Sequence, residues 1–332
     1  MQVVVVEVVV VVGYCYSMEP FGRNATVLAT AVALGLSIRA RRKQSLTRAG
    51  SLAALAVGFL LVGTGLRGFN LLVFYQIGTS ATKHKHHAKA KVDGSLAGAR
   101  SGNSAITTAR GPGQVLACSL LATLLSLLHV LWYGSEQPIV FGDDNGTNDN
   151  NYYYNASCLT CGIMAHHATC LADTLASEMG ILAKNRPFLI TQPWKRVPTG
   201  TNGGVTGEGF FWSLVGGFVI GLSTVVFDSL SGLLLSSSSS SSIIATIVRM
   251  LLFASTCGLV GSLIDSVLGA TIQQTYYDPD TKLVYQANDE GIPKSAQPWV
   301  GINLLNNEQV NLVSVALTTA VGGWVLGPMF FP

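Results

Sequence analysis

Three acidic residues lie inside apolar stretches of the chain. Asp173 and Glu178 fall within Ala172-Asp173-Thr174-Leu175-Ala176-Ser177-Glu178, and Asp265 within Gly261-Ser262-Leu263-Ile264-Asp265. A carboxylate at bilayer depth costs about 2.5–3.5 kcal/mol on insertion scales, so such residues are kept for a partner or a task. Helical spacing puts Asp173 and Ser177 on one face and Thr174 and Glu178 on the next, so the two acids point roughly the same way. That arrangement suits Mg²⁺, which takes one or two carboxylates together with phosphate oxygens. The plainer alternative is a structural pair bonded to nearby hydroxyls. Asp265 belongs to a stripe of Gly258, Gly261, Ser262 and Gly269. The stripe reads either as a packing seam or as the means by which Asp265 joins Asp173 and Glu178 in one polar centre. Asp228 is a weaker candidate, close to the far end of its span.

A second pattern follows the first two acids. Lys195-Arg196-Val197-Pro198-Thr199-Gly200-Thr201-Asn202-Gly203-Gly204-Val205-Thr206 is a glycine-rich loop leading into a helix. Backbone N–H groups in such a loop, together with a helix N-terminus, form an anion site. The nucleotide- or phosphate-binding candidates are therefore Lys195, Thr199, Thr201, Asn202, Gly203, Gly204 and Thr206, with Lys83 and Arg110 from a second basic segment. No Gly-Lys-Ser/Thr closes the loop, so it is not a P-loop, and a simple turn is the competing reading. Lys83-His84-Lys85-His86-His87 reads as a solvated basic stretch. The adjacent His166 and His167 point about 100° apart on a helix and are poor co-ligands for one metal.

Composition sets the elements that must carry these groups. Of the 332 residues, 49% are apolar and only 11% charged, against roughly 25% charged in a soluble domain. The net charge of +3 does not argue for a nucleic-acid partner. Several apolar stretches reach the roughly 20 residues that cross a hydrocarbon core. The expected fold is all-α and polytopic, with about seven to eight transmembrane helices: roughly 24–38, 51–66, 68–82, 114–133, 157–183, 209–231, 243–273 and 310–330. Residues 1–23 form an atypical valine-rich segment, and 24–332 a single integral membrane domain. Cys158 and Cys161 form a lone C-x-x-C, which is weak evidence for metal or redox work. The serine run Ser236–Ser242 reads as a linker.

Loop charge gives a sidedness. Lys and Arg concentrate in 39–50, 83–113 and 184–208, which with 274–309 fall on one side by this helix count. The 134–156 insert falls on the other, with Glu136, Asp143, Asp144 and Asp149 but no Lys or Arg. The positive-inside rule makes the basic side cytosolic or its equivalent. Glycosylation sequons at Asn24, Asn145 and Asn155 fall on the opposite side.

The segment Ala172–Glu178, then Pro187 to Thr191, Val197-Pro198, the Gly200–Thr206 loop, and Gly261 to Thr271 with Gln273 resemble the transmembrane protein 19 family. Ser45-Leu46-Thr47, Ser80–Lys83 and Arg110-Gly111 with Gln114-Val115-Leu116 extend the likeness over most of residues 39–325. Cys118 stands where the family pattern leads one to expect Asn. Plant members of that family are phytyl-phosphate kinases. The resemblance therefore implies a membrane isoprenyl-phosphate kinase acting on a prenyl or phytyl monophosphate, a membrane lipid phosphate. Asp173-x-x-Ala176-Ser177 is also similar to CTP-dependent phytol and dolichol kinases, which implies CTP as the donor nucleotide. In that reading Asp173, Glu178 and Asp265 are the catalytic carboxylates, with Asp173 and Glu178 on Mg²⁺. A cation- or proton-coupled transporter or lipid flippase is the alternative that intramembrane acids also fit, and a non-catalytic scaffold is a third. The sequons point to the endoplasmic reticulum, the plant likeness to the plastid envelope.

Overall fold

A computed structural model describes residues 19–89, 110–141, 150–234, 240–289 and 291–331. The valine-rich segment, the Asn145 sequon with Asp143, Asp144 and Asp149, the cations Lys91 and Arg100, and most of the serine run lie outside the described residues.

The chain is mostly helical. The long helices are α1 (Arg23–Arg42), α2 (Arg48–Thr64), α3 (Asn70–Lys83), α4 (Leu120–Tyr133), α5 (Asn150–Gly180), α6 (Gly207–Leu230), α7 (Ser240–Ile272) and α8 (Asn307–Val321). A π turn over Gly322–Leu326 and a short helix Gly327–Phe330 continue α8. Among the described residues, three helical stretches are long and apolar enough to cross a membrane: Gly207–Leu230, Ser242–Ile272 and Asn307–Phe330; Arg48–Thr64 and Leu120–Tyr133 are shorter apolar helices.

The outward faces are as apolar as the inward ones. On α6, Phe211, Leu214, Phe218, Leu222 and Val226 recur every three to four residues and are exposed, while Ser213, Gly216, Gly217, Gly221, Thr224 and Asp228 are buried. A helix with leucine outside and glycine, serine and aspartate inside reverses the soluble pattern, and lipid is the solvent that allows it.

Helix α5 is the centre, packed against α3, α4, α6, α7 and α8, while α1 packs chiefly on α2. Small residues set how closely the central helices approach. A Cβ on Gly217 of α6 would sit 2.3 Å from the Ala254 carbonyl oxygen of α7, and one on Gly261 of α7 would sit 2.3 Å from the Thr169 side chain of α5. Both positions require glycine.

The apolar run 114–133 reads as one helix in sequence but is broken. A short helix, Pro112–Ala117, ends at Cys118–Ser119, and α4 begins at Leu120. The break frees the Cys118 carbonyl, which accepts a hydrogen bond from His166 Nε2 at 3.0 Å. That bond satisfies a backbone acceptor that the break leaves without a helical partner.

The all-α expectation needs a second correction. Two small antiparallel sheets occupy loops on the basic side. In the first, β1 (Phe188–Leu189) lies between β2 (Gln192–Arg196) and β3 (Gly204–Val205); in the second, β4 (Thr275–Asp278) lies between β5 (Leu283–Gln286) and β6 (Gln297–Val300).

The bundle has two chemically different ends. At one, Arg67 at the α2–α3 turn donates from Nε and Nη2 to both carboxylate oxygens of Asp228 at 2.7 Å each, and from Nη1 to the Gln137 carbonyl at 2.9 Å. Glu136 accepts from the Leu66 and Arg67 backbone N–H groups at 3.2 and 2.8 Å. Burial pushes the Glu136 carboxyl up to about 7, only partly opposed by Arg67. The other end gathers the basic segments: residues 43–47 and 110 pair through Thr47 N–Arg110 O and Arg110 N–Ser45 O, beside Lys83, Lys89 and both sheets.

Candidate functional site

At the basic end the helices part around a polar cleft of about 430 Å³. Helix α5 supplies Asp173, Ser177 and Glu178; α7 supplies Ser262, Asp265, Ser266 and Gly269; residues 199–206 form the rim; Arg110 and Gln114 form another wall. Asp173 and Asp265, 92 positions apart in sequence, thus face the same space.

The close packing of α5, α6 and α7 brings them there. Gly258 lies against Ala172 and Gly217, and Gly261 against Thr169, so the turns of α5 and α7 just before the two aspartates are in contact. The glycine loop then closes on α7. Gly203 has φ +70°, and a Cβ there would meet Ala270 Cβ at 2.3 Å and the Ser266 carbonyl oxygen at 2.6 Å. Glycine is needed on both counts. Helix α6 starts directly after the loop, with Thr206 Oγ1 accepting from Gly209 N at 3.0 Å as the N-cap.

The three carboxylates differ in what they already hold. Glu178 forms an ion pair with Lys89, whose side chain is only 2% exposed and whose ammonium also donates to the Ala81 carbonyl at 2.8 Å. Asp265 accepts from Ser314 Oγ at 2.9 Å. The Asn311 amide, turned to suit both its neighbours, donates to Asp265 Oδ1 and to the Asn307 carbonyl at 3.2 Å each. Among the described residues no donor reaches Asp173. With Lys89 neutralising Glu178, two aspartates face one guanidinium among the described residues, that of Arg110.

This charge pattern bears on a metal. Among the described residues no three His, Cys, Asp or Glu side chains stand close enough to cage an ion. Mg²⁺ does not need such a cage: it uses one or two carboxylates and completes its shell with water and phosphate. Asp173 and Asp265 fit that donor set. Glu178, paired with Lys89, fits it less well than sequence position implies.

Several other expected ligands are placed differently. Lys195 does not line the cleft; its ammonium lies 5.6 Å from the centroid of the Trp299 ring, a cation–π contact on the sheet side. Lys83 is exposed and also lies outside the lining. The loop is not a nest of free amides. Thr201 N donates to the Pro198 carbonyl, Gly204 N to the Thr201 carbonyl and Asn202 N to Thr275 Oγ1. Thr201 Oγ1 donates to the Pro198 carbonyl at 2.7 Å, and Asn202 Nδ2 to Gln286 Oε1 at 2.6 Å. The loop is therefore a folded rim tied to β4 and β5. Thr199, Thr201, Asn202, Gly203, Gly204, Thr206 and Arg110 do line the cleft.

Sequence reasoning passes over Lys89, which reads as one more lysine in a basic stretch. It also passes over the polar face of α8, where Asn307, Asn311 and Ser314 recur at helical spacing and reach Asp265 or the rim. That periodicity was a usable signal.

"Protein PGR" of Arabidopsis thaliana is 29% identical over 303 residues, covering 91% of this chain and 96% of the relative. An uncharacterized membrane protein of Synechocystis is 28% identical over 260 residues, 77% of this chain and 73% of the relative. Another, from Methanocaldococcus jannaschii, is 28% identical over 170 residues, about half of each chain. No solved structure matches the chain. A family model described as "Integral membrane protein DUF92" matches residues 31–319, which include every cleft aspartate and the glycine loop. The chain belongs to this DUF92 family of integral membrane proteins.

Proposed function

We propose that the protein is a membrane isoprenyl-phosphate kinase, transferring a phosphoryl group from a nucleotide, CTP by the likeness noted above, to a prenyl or phytyl monophosphate. The observation that carries this reading is the shared cleft of Asp173 and Asp265 beside the glycine rim, with Arg110 the one cation that lines it among the described residues. Left alone, two aspartates repel an anionic substrate; a divalent cation arriving with phosphate reverses the sign. Lipid-phosphate and nucleotide chemistry supply that combination, and a neutral or purely anionic ligand does not.

Phosphoryl transfer asks chiefly for positioning and charge neutralisation. Asp173 and Asp265 would hold Mg²⁺, which supplies charge neutralisation at the phosphates. Ser314 and Asn311 fix the Asp265 carboxylate. Arg110 offers N–H donors to phosphate oxygens, and the start of α6 adds the positive end of a 24-residue helix. Ser177, Ser262 and Ser266 add hydroxyls along the walls. The acceptor is a phosphate oxygen that is already ionised, so no general base is required. Lys89 keeps Glu178 paired, so that a third bare carboxylate does not face the anions.

Seven to eight membrane crossings, with the cleft on the cytosolic or equivalent side of the endoplasmic reticulum or plastid envelope, complete the proposal. Purified protein given Mg²⁺, a panel of nucleoside triphosphates and phytyl phosphate should form the diphosphate. No transfer from any triphosphate to any prenyl phosphate, together with nucleotide-independent flux of a solute or lipid in liposomes, would replace the kinase reading with a transport one.

A further inference from the structure

A second cavity, of about 90 Å³, lies beside the cleft between α1, α2, α3 and the short Pro112–Ala117 helix. Its character is opposite. Leu36, Leu46, Val57, Leu71, Phe74 and Val115 form much of its wall, and Ala33, Ala40, Ala54 and Gly58 keep it open. The hydroxyls that reach it are already engaged. Ser37 Oγ donates to the Ser51 carbonyl at 2.7 Å, Ser119 Oγ to the Val115 carbonyl at 2.6 Å, and Tyr75 OH pairs with Ser45 Oγ at 3.0 Å. Its interior therefore asks nothing polar of a ligand.

Arg110 and Gln114 line both this cavity and the polar cleft. Arg110 is held at the boundary by its backbone pairing with Ser45 and Thr47 and by Nη2 donating to Thr82 Oγ1 at 3.0 Å. Among the described residues the Gln114 amide has no partner. An apolar slot thus meets a polar, charge-handling cleft at one fixed guanidinium. A ligand with an apolar tail in the slot presents its head group at Arg110, inside the space that holds Asp173.

We propose that this slot seats the single apolar chain of a monophosphate lipid and selects its length, with Arg110 and Gln114 positioning the head group at the slot's mouth. The proposal rests on reading the cleft as a lipid-phosphate site. One slot with one polar mouth accommodates one chain, so a two-chain phosphatidic acid is expected to compete poorly. Gly58 is the specificity position. A Cβ there meets only Ala33, its Cβ at 3.6 Å and its Cα at 3.8 Å, both ordinary contacts. Gly58→Ala is therefore tolerated, whereas Gly58→Leu fills the slot.

The test uses the full chain in lipid nanodiscs and a geranylgeranyl monophosphate carrying a diazirine at the chain end. Irradiation and peptide mapping should place the label on residues 33–40, 54–58 or 71–75. Unlabelled geranylgeranyl phosphate should suppress it and phosphatidic acid should not. Gly58→Leu should lower labelling by the geranylgeranyl probe at least about tenfold while sparing a geranyl probe, and Gly58→Ala should match wild type. Label confined to the outer faces of α6 or α8, equal competition by phosphatidic acid, or equal loss of both chain lengths in Gly58→Leu overturns the slot. If Gly58→Leu does not fold, the wild-type label map decides by itself. Slot labelling without phosphoryl transfer from any nucleotide upholds the slot and removes the kinase reading. Transfer with the label elsewhere does the reverse.

Discussion

Whether a carboxylate in this chain is a working group or a structural one depends on the cation beside it, and the three cleft acids divide on that basis. Glu178 is matched by a buried lysine; among the described residues Asp173 and Asp265 are not. Removing one partner of a buried pair leaves the other uncompensated, a loss of about 3–5 kcal/mol. Glu178→Gln should therefore lower thermal stability in detergent markedly, and Lys89→Met added to it should restore much of the loss. Equal stability of Glu178→Gln and wild type would show that the pair carries nothing. Asp173 and Asp265 were legible in the sequence because carboxylates in apolar runs stand out. Lys89 was not, because its burial is a tertiary fact that five other cations in its loop hide. Lys195 misled for the same reason: the sequence places it at the head of the glycine loop, and the fold turns it onto Trp299.

Between residues and the whole bundle, the elements explain why those acids meet. The glycines of α7 were readable as a packing seam, and the structure shows what they pack against, including the glycines of α6 that the sequence reading passed over. The break at Cys118–Ser119 was not readable, since an unbroken apolar run gives periodicity nothing to register. The two sheets escaped for a related reason: their strands span two to five residues, too short for an alternating pattern to emerge from a polar loop. The turn between α2 and α3 has its own test. Glu136 sits over that turn, and its carboxyl is raised to about 7 by burial. Folded protein then holds a proton that unfolded chain releases near the usual carboxyl value. Stability from this group is fully present below about pH 4.5, falls as pH rises, and is gone above about 7. Melting temperatures should decline across that window, and Glu136→Gln should flatten the decline. Parallel profiles for the two proteins would contradict the assignment.

For the molecule as a whole, the gathering of basic loops at one end and the Arg67–Asp228–Glu136 cluster at the other defines a sidedness. Loop charge and helix parity, both sequence properties, assign the loops to two sides of a membrane, and that assignment has a direct test. A cysteine at exposed Lys294, on the sheet end, and one at exposed Ser135, on the opposite end, should be labelled by an impermeant maleimide from opposite sides of sealed vesicles. Labelling of both from the same side would break the arrangement on which the proposed access of soluble nucleotide to the cleft depends. The four native cysteines of α5 and α7 are buried and should stay silent in this assay.

The decisive comparison is among matched variants of one purified preparation: wild type, Asp173→Asn, Asp265→Asn and Lys195→Met, each with melting temperature and rate of phosphoryl transfer to phytyl phosphate. Loss of about a hundredfold or more in both aspartate variants, at unchanged melting temperature, with Lys195→Met near wild type, is the expected result; a hundredfold corresponds to about 2.7 kcal/mol of transition-state stabilisation. Full activity in Asp173→Asn, or loss in Lys195→Met alone, would mean that the reacting phosphates lie outside the cleft.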